Sequence, residues 1–230
     1  MTAIPRRCSL AILLGAAAVS AGCQASTMAY FLFPEAKHEA EMKKLASDDN
    51  KEVRVAILTY TTDLETQPEL VQADRSLCEM LAAKLRELCE NNHETVTIVN
   101  PTKVEQFKTA HPNWRQEPNL ADIGRQFKAD YLIYIEISNL SLYEKGAAQQ
   151  LYHGQAGMSV QVVDVRKPSE SPLPKQVSFV YPDARGPIPV DDMRPMEFRQ
   201  KFLGYLAWRL ARNWTAVPIR ETYYEDDDQK

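Results

Sequence analysis

The sequence predicts an α/β (α+β) domain built on a mixed five-stranded sheet of spatial order 2-1-3-4-5, with helices packed on it. Three observations carry this. Val53 to Leu58 is a near-continuous apolar run, as expected of a strand covered on both faces. Leu77, Leu81, Leu85 and Leu88 recur at helical spacing and make one apolar face. A strand–helix–strand order needs parallel neighbours with right-handed crossovers, and the later strands, joined by short loops, read as an antiparallel meander at one edge.

Taken in order, the first strand is followed by a loop over 59–68 and by the leucine-faced helix, which ends at Asn91-Asn92. Thr95 to Val99 is a short β-branched strand. Asn100-Pro101 starts the next helix, because Asn accepts from free first-turn amides and Pro suits that turn. Val104 and Phe107 mark its inner face. Asn119 caps another helix with Leu120, Ile123 and Phe127 inward. Tyr131 to Leu142 is the strongest strand signal, with Tyr152 to Val165 and Gln176 to Tyr181 as its antiparallel neighbours. Arg194 to Trp214 is a long helix carrying Leu203, Leu206, Ala207, Leu210 and Trp214 on one face. No internal repeat is visible.

The N-terminus has a different character. Arg6 and Arg7 precede the uncharged run Ser9 to Ala21, which ends in Val19-Ser20-Ala21-Gly22-Cys23. That run is shorter than the roughly 20 residues a spanning helix needs, so it reads as an export signal. A cysteine directly after Ala-Gly resembles the lipobox of bacterial lipoproteins, and the resemblance implies cleavage before Cys23 and acylation of that residue. Ser20 stands where such motifs usually carry an aliphatic residue. Val19-Ser20-Ala21 also satisfies the small-residue rule for ordinary cleavage after Ala21, which would release a soluble protein. The expected organisation is a signal peptide over 1–22, an anchor and tether over 23–50, the globular domain over 51–217 and an acidic tail over 218–230. Within the tether, Tyr30 to Phe33 is an aromatic cluster and Glu35 to Ala46 has helical composition.

Composition narrows the partners. Removing residues 1–22 leaves 25 basic and 31 acidic side chains, a net charge of −6. That balance argues against nucleic acid, since binding phosphates needs a clustered basic face. Membrane attachment would rest on the acyl chains of Cys23, not on a polybasic patch. Cys78 and Cys89 fall about 16 Å apart along one predicted helix and cannot pair, so both are expected as small packed residues.

Val53 to Leu58, a helix and a strand, and then Ile123-Gly124-Arg125-Gln126-Phe127-Lys128-Ala129-Asp130-Tyr131-Leu132-Ile133 resemble a known pattern, "i-G-x-x-h-x-A-D-y-h-h". It belongs to bacterial envelope lipoproteins with a TolB N-terminal-like α/β domain, which include the curli-secretion lipoprotein family and lipoprotein activators of penicillin-binding proteins. The similarity covers roughly 52–165. It implies a soluble envelope domain in which Gly124 lets a helix approach the sheet and Asp130 opens a strand. Tyr143 to Tyr152 is too short and polar for a membrane-spanning hairpin, so no pore is expected.

The catalytic inventory is thin. The four histidines make no i, i+4 pair, there is no Cys-x-x-Cys, and neither a Gly-x-Ser-x-Gly elbow nor a P-loop is present. Neither a metal nor a cofactor is expected. Gly154-Gln155-Ala156-Gly157 reads as a strand kink or bulge. Glu136 sits mid-strand and shares a face with Tyr134 and Ser138; its alternative role is an acid converging with His153. Trp114, in a Pro-rich loop, is the candidate partner contact, because exposed aromatics anchor interfaces; the alternative is that it folds back onto the core.

The sequence therefore leads to a lipid-anchored, non-enzymatic envelope module that binds or assembles with an envelope protein and with a possible second copy of itself. A secreted hydrolase and an auxiliary transporter lipoprotein are the alternatives.

Overall fold

The computed structural model describes residues 36–47, 49, 51–62, 68–116, 119–183 and 186–219. The chain divides into two compact units, Met1–Lys37 and His38–Lys230. Of the first, only residues 36 and 37 are described, and both are exposed. The second carries the main sheet and the helices.

Its element order is β1 (Val53–Thr61), α1 (Ala73–Asn91), β2 (Val96–Ile98), α2 (Pro101–Ala110), α3 (Leu120–Gln126), β3 (Tyr131–Tyr143), β4 (Leu151–Asp164), β5 (Lys175–Tyr181), β6 (Ile188–Pro189) and α4 (Pro195–Ala211). The sheet runs β2-β1-β3-β4-β5. β1 is parallel to both β2 and β3, and β3, β4 and β5 are antiparallel in turn. The mixed fold class and the main strand order follow the expectation. The strand count differs, because Ile188–Pro189 adds a sixth strand beside Leu151–Tyr152. Two proline-flanked residues carry too little pattern to be read as a strand.

Two cores flank the sheet. On one face Val55, Ile57, Ile133, Ile135, Ile137, Met158, Val160 and Val162 pack under α1 and α4. Leu77, Leu81, Leu85, Phe198, Phe202, Leu203, Leu206 and Leu210 are all fully buried there. On the other face Ala56, Leu58, Leu132 and Val163 pack under α2 and α3 through Val104, Phe107, Ala121 and Ile123. The two asparagine caps form as expected: Asn100 accepts from the Thr102 amide and Asn119 from the Ala121 amide, each at 2.9 Å.

Two glycines mark close approaches. A Cβ on Gly124 would collide with Val165 Cγ2, which is the helix–sheet contact the Ile123-to-Ile133 motif implied. A Cβ on Gly154 would lie 2.7 Å from the Phe202 ring. The glycine-rich stretch also lies where the β3–β4 ladder is irregular, as the reading of it as a strand kink or bulge expected. The first register shift, between Ile137 and Asn139, puts the extra residue in β3. In the second, Ser141 to Tyr143 faces the three steps from Gln155 to Tyr152, so β4 carries the extra residue around Gly154, which is bare so that an aromatic ring can lie on the sheet. Phe198 extends that layer, stacking on Tyr152 at 4.6 Å.

The stretch before β1 also departs from expectation. Residues 38–47 form no α-helix. Ala40 and Leu45 are too sparse an apolar set to bury a helical face. The amides of Glu41, Met42, Lys43 and Leu45 instead donate to the carbonyls of Arg212, Asn213 and Trp214 at 3.0–3.1 Å, and Leu45 is 1% exposed. Thr215 ties the same region to the α1–β2 turn, donating to Glu94 at 2.7 Å and accepting from Asn92 at 2.8 Å.

Gly154→Ala is expected to lower stability by about 1–3 kcal/mol through overpacking against Phe202. Gly204→Ala, at a helical position with nothing within 4 Å of the added Cβ, should raise it by about 0.5–1 kcal/mol. Urea denaturation of the two variants checks the opposite signs.

Candidate functional site

Cys23, the signal segment and tether residues 24–35 lie outside the described residues, as do 220–230 of the acidic tail. The other nominated residue is placed. Trp114 is 5% exposed, in a short 3-10 turn, and its ring stands edge-on to Tyr60 at 5.9 Å and to Tyr134 at 6.5 Å. It caps the second core, so of the two readings the loop left open the ring takes the one that folds back onto the core and is not an exposed contact. The physical reason is local. Phe107, Leu58 and Leu132 leave an apolar end to that core, and the Trp114 ring closes it. The neighbouring Arg115 is exposed, lies over the Tyr60 ring at 4.4 Å and donates to its hydroxyl.

Glu136 stands just beyond this cap. It is half-buried, opposite Tyr60 in the β1–β3 register and opposite Ser159 in the β3–β4 register. Burial pushes the Tyr134 hydroxyl up to about 12, with the Glu136 charge adding to the shift. His153 is elsewhere. It lies six residues from Ser159 along β4, about 20 Å at 3.4 Å per residue, and pairs with Glu144. Proton transfer needs hydrogen-bond reach, so the Glu136–His153 pair that the hydrolase alternative required does not form. Among the described residues no group of three or more His, Cys, Asp or Glu side chains converges as a metal site.

What the fold does build around Glu136 is a half-open sheet face. The second core reaches along β3 only as far as Tyr134. Past it, on the same face, Glu136, Ser138, Gln155, Ser159, Gln161, Gln176 and Ser178 are half-buried or exposed. Hydroxyls and amides dominate, groups that donate and accept hydrogen bonds without titrating near neutral pH. The signal was present in the alternation of Ser159 and Gln161 with the buried Met158, Val160 and Val162, which marks a strand with one wet face.

The parallel strands end in a charge knot. Lys108 donates to Glu105 at 2.8 Å, to Asp74 at 3.2 Å and to the Thr59 carbonyl at 3.1 Å. Burial alone would lower its pKa, but the hydrogen bond to Glu105 and the Asp74 charge outweigh it and hold the ammonium above its ordinary value. The knot ties α1 and α2 to the end of β1. Cys78 and Cys89 are free and buried. Burial pushes both thiols up to about 12, with Glu105 adding at Cys78 and Glu94 at Cys89.

No protein-family model matches the chain, and no curated protein does. Several solved structures are similar to it. The lipoprotein GNA1162 from Neisseria meningitidis is 13% identical with a TM-score of 0.41, the match covering 69% of this chain and 94% of that one. The PelC dodecamer from Paraburkholderia phytofirmans is 14% identical with a TM-score of 0.41, over 78% and 98%. The LpoB C-terminal domain from Salmonella enterica is 13% identical with a TM-score of 0.30, over 55% and 82%.

The raised pKa values set an alkaline limit. Cys78, Cys89, Tyr134 and Tyr143 keep their protons to about pH 12 when folded and lose them nearer 9–10 when unfolded. The native state then binds more protons in that window, so stability falls as pH rises from about 9 toward 12. Urea midpoints across this range should decrease steadily. At about pH 8.5, where a free thiol is half ionised, iodoacetamide should label Cys78 and Cys89 only after denaturation.

Proposed function

We propose that this chain is a lipid-anchored, non-enzymatic accessory module of the bacterial cell envelope, held by acyl chains on Cys23 and facing the periplasm. On this reading it belongs with the TolB N-terminal-like envelope lipoproteins that the Ile123-to-Ile133 motif resembles. The observation that carries it is the segment from Arg6 to Cys23, a basic pair, a short apolar run and a cysteine after Ala-Gly. Among the described residues no helix is long and apolar enough to cross a membrane, so attachment falls to the lipid. The domain supports binding over chemistry, with a wet half-sheet around Glu136 and with His153 paired to Glu144. Its partners are the membrane, an envelope protein and a second copy of the chain, for which the edge strand β5 offers unpaired backbone.

One specific observation favours a second reading. Val19-Ser20-Ala21 fits ordinary signal cleavage, which would leave the same domain soluble in the periplasm or secreted.

Membrane fractionation with acyl labelling separates the two. The natural chain is expected in the membrane fraction carrying label, and Cys23→Ala is expected unlabelled and in the soluble fraction. A Cys23→Ala chain that stays membrane-bound, or a natural chain that is soluble and begins at Gly22, contradicts acylation as the means of attachment.

A further inference from the structure

A groove of about 710 Å³ runs between α1 and the first turns of α4. Its walls combine two apolar side chains, Met80 and Met196, with two arginines, Arg194 and Arg199. The carboxylate that lines it, Glu197, is 3.4 Å from Lys201 and so already has a cation. Arg199 donates through Nη2 to the Val71 carbonyl at 3.3 Å and to Ser76 Oγ at 3.0 Å, while its Nε is buried with no acceptor. Neither arginine has a carboxylate partner among the described residues. The N-terminus of α4, capped by no side chain, opens beside them and adds its positive end. A half-buried guanidinium without a counter-ion is costly unless an anion arrives.

The surface around the groove is also unusually apolar. The exposed large hydrophobic side chains of the described residues are Val71, Leu173, Val180 and Met196; Met196, at 60% exposure, lines this groove, and Val71, at 56%, is held beside it by the bond from Arg199 to its carbonyl. Methionine adapts its shape to whatever packs on it. We propose that this groove docks an acidic, apolar peptide segment of a partner protein, with carboxylates on Arg194 and Arg199 and apolar side chains on Met80, Met196 and Val71. Charge complementarity selects the occupant: two uncompensated guanidiniums beside methionines match alternating carboxylate and aliphatic groups. A bilayer fits less well. Recognition of anionic lipid takes a cluster of about four to eight basic residues, and here there are two. The groove also lies at the far end of α4 from the carbonyls that hold Glu41–Leu45. Seventeen helical residues separate the two ends by about 25 Å.

The proposal deepens the binding-module reading and rests on it for its biological partner. Its test is independent of the anchor, because the fractionation of Cys23→Ala can fail while the groove still binds. The full chain is reconstituted in neutral phosphatidylcholine vesicles, and the anisotropy of dye-labelled synthetic peptides is followed. An alternating Glu/Leu peptide is expected to bind with an affinity that falls as salt rises, and its Lys/Leu counterpart is expected not to bind. Arg194→Glu, Arg199→Glu and Met196→Asp should each weaken binding at least about tenfold. Arg194 and Met196 are exposed, so those two variants should melt with the natural chain and keep the result readable if Arg199→Glu unfolds. Equal binding by Arg194→Glu and Met196→Asp overturns the proposal. So does equal binding of a Glu/Ser peptide, which would make the site an anion patch only. Recruitment of phosphatidylglycerol vesicles through the same arginines would assign the groove to lipid and also overturn it.

Discussion

The rest of the structure depends on α4 lying flat across the antiparallel half of the sheet. Phe202 sits on the bare Gly154, Phe198 stacks on Tyr152, and Leu203, Leu206 and Leu210 complete a fully buried stripe. Each such side chain contributes about 1.5–3 kcal/mol on burial, whereas a helix of this length is marginal alone in water. Packing fixes the helix, and both of its ends then acquire a use. The N-terminal turn makes one wall of the Arg194–Arg199 groove. The turn beyond its C-terminus presents the carbonyls on which Glu41–Leu45 is hung.

Coverage of the sheet is uneven. α1 and α4 cover one face, whereas α2 and α3 cover the other only over β1, β3 up to Tyr134 and the Val163 end of β4. The boundary falls at Trp114, whose burial closes the second core and leaves Glu136 at the start of a wet surface. Buried aromatic and open polar face are therefore one feature. The side chains past the boundary are short hydroxyls and amides, which meet a partner through hydrogen bonds and shape. The same unevenness separates the open sheet face from the groove over the helices.

Much of the fold was legible because it is written in periods. The leucines of α1, the apolar alternation of β3 to β5 and the Asn caps at 100 and 119 each act within a few residues. Gly124 was legible for the same reason, within a recognisable motif. What could not be read depends on meetings between distant segments. Gly154 makes sense only once Phe202 lies on it. Residues 41–45 draw their hydrogen bonds from carbonyls at the other end of the domain, so helical composition was misleading there. Trp114 has no periodic neighbours, and a Pro-rich loop does not state which way an aromatic ring will turn. The groove joins residues of α1 to residues of α4 and has no linear signature, and Cys23 has one but lies outside the described residues.

Through the turn beyond its C-terminus, α4 makes residues 41–45 part of the folded body. Amide hydrogen exchange on the full chain tests this directly. The amides of Met42, Lys43 and Leu45 are expected to exchange as slowly as those of β1, through opening of the domain. Exchange of those amides at the rate of exposed, unbonded backbone, with β1 still protected, would contradict it.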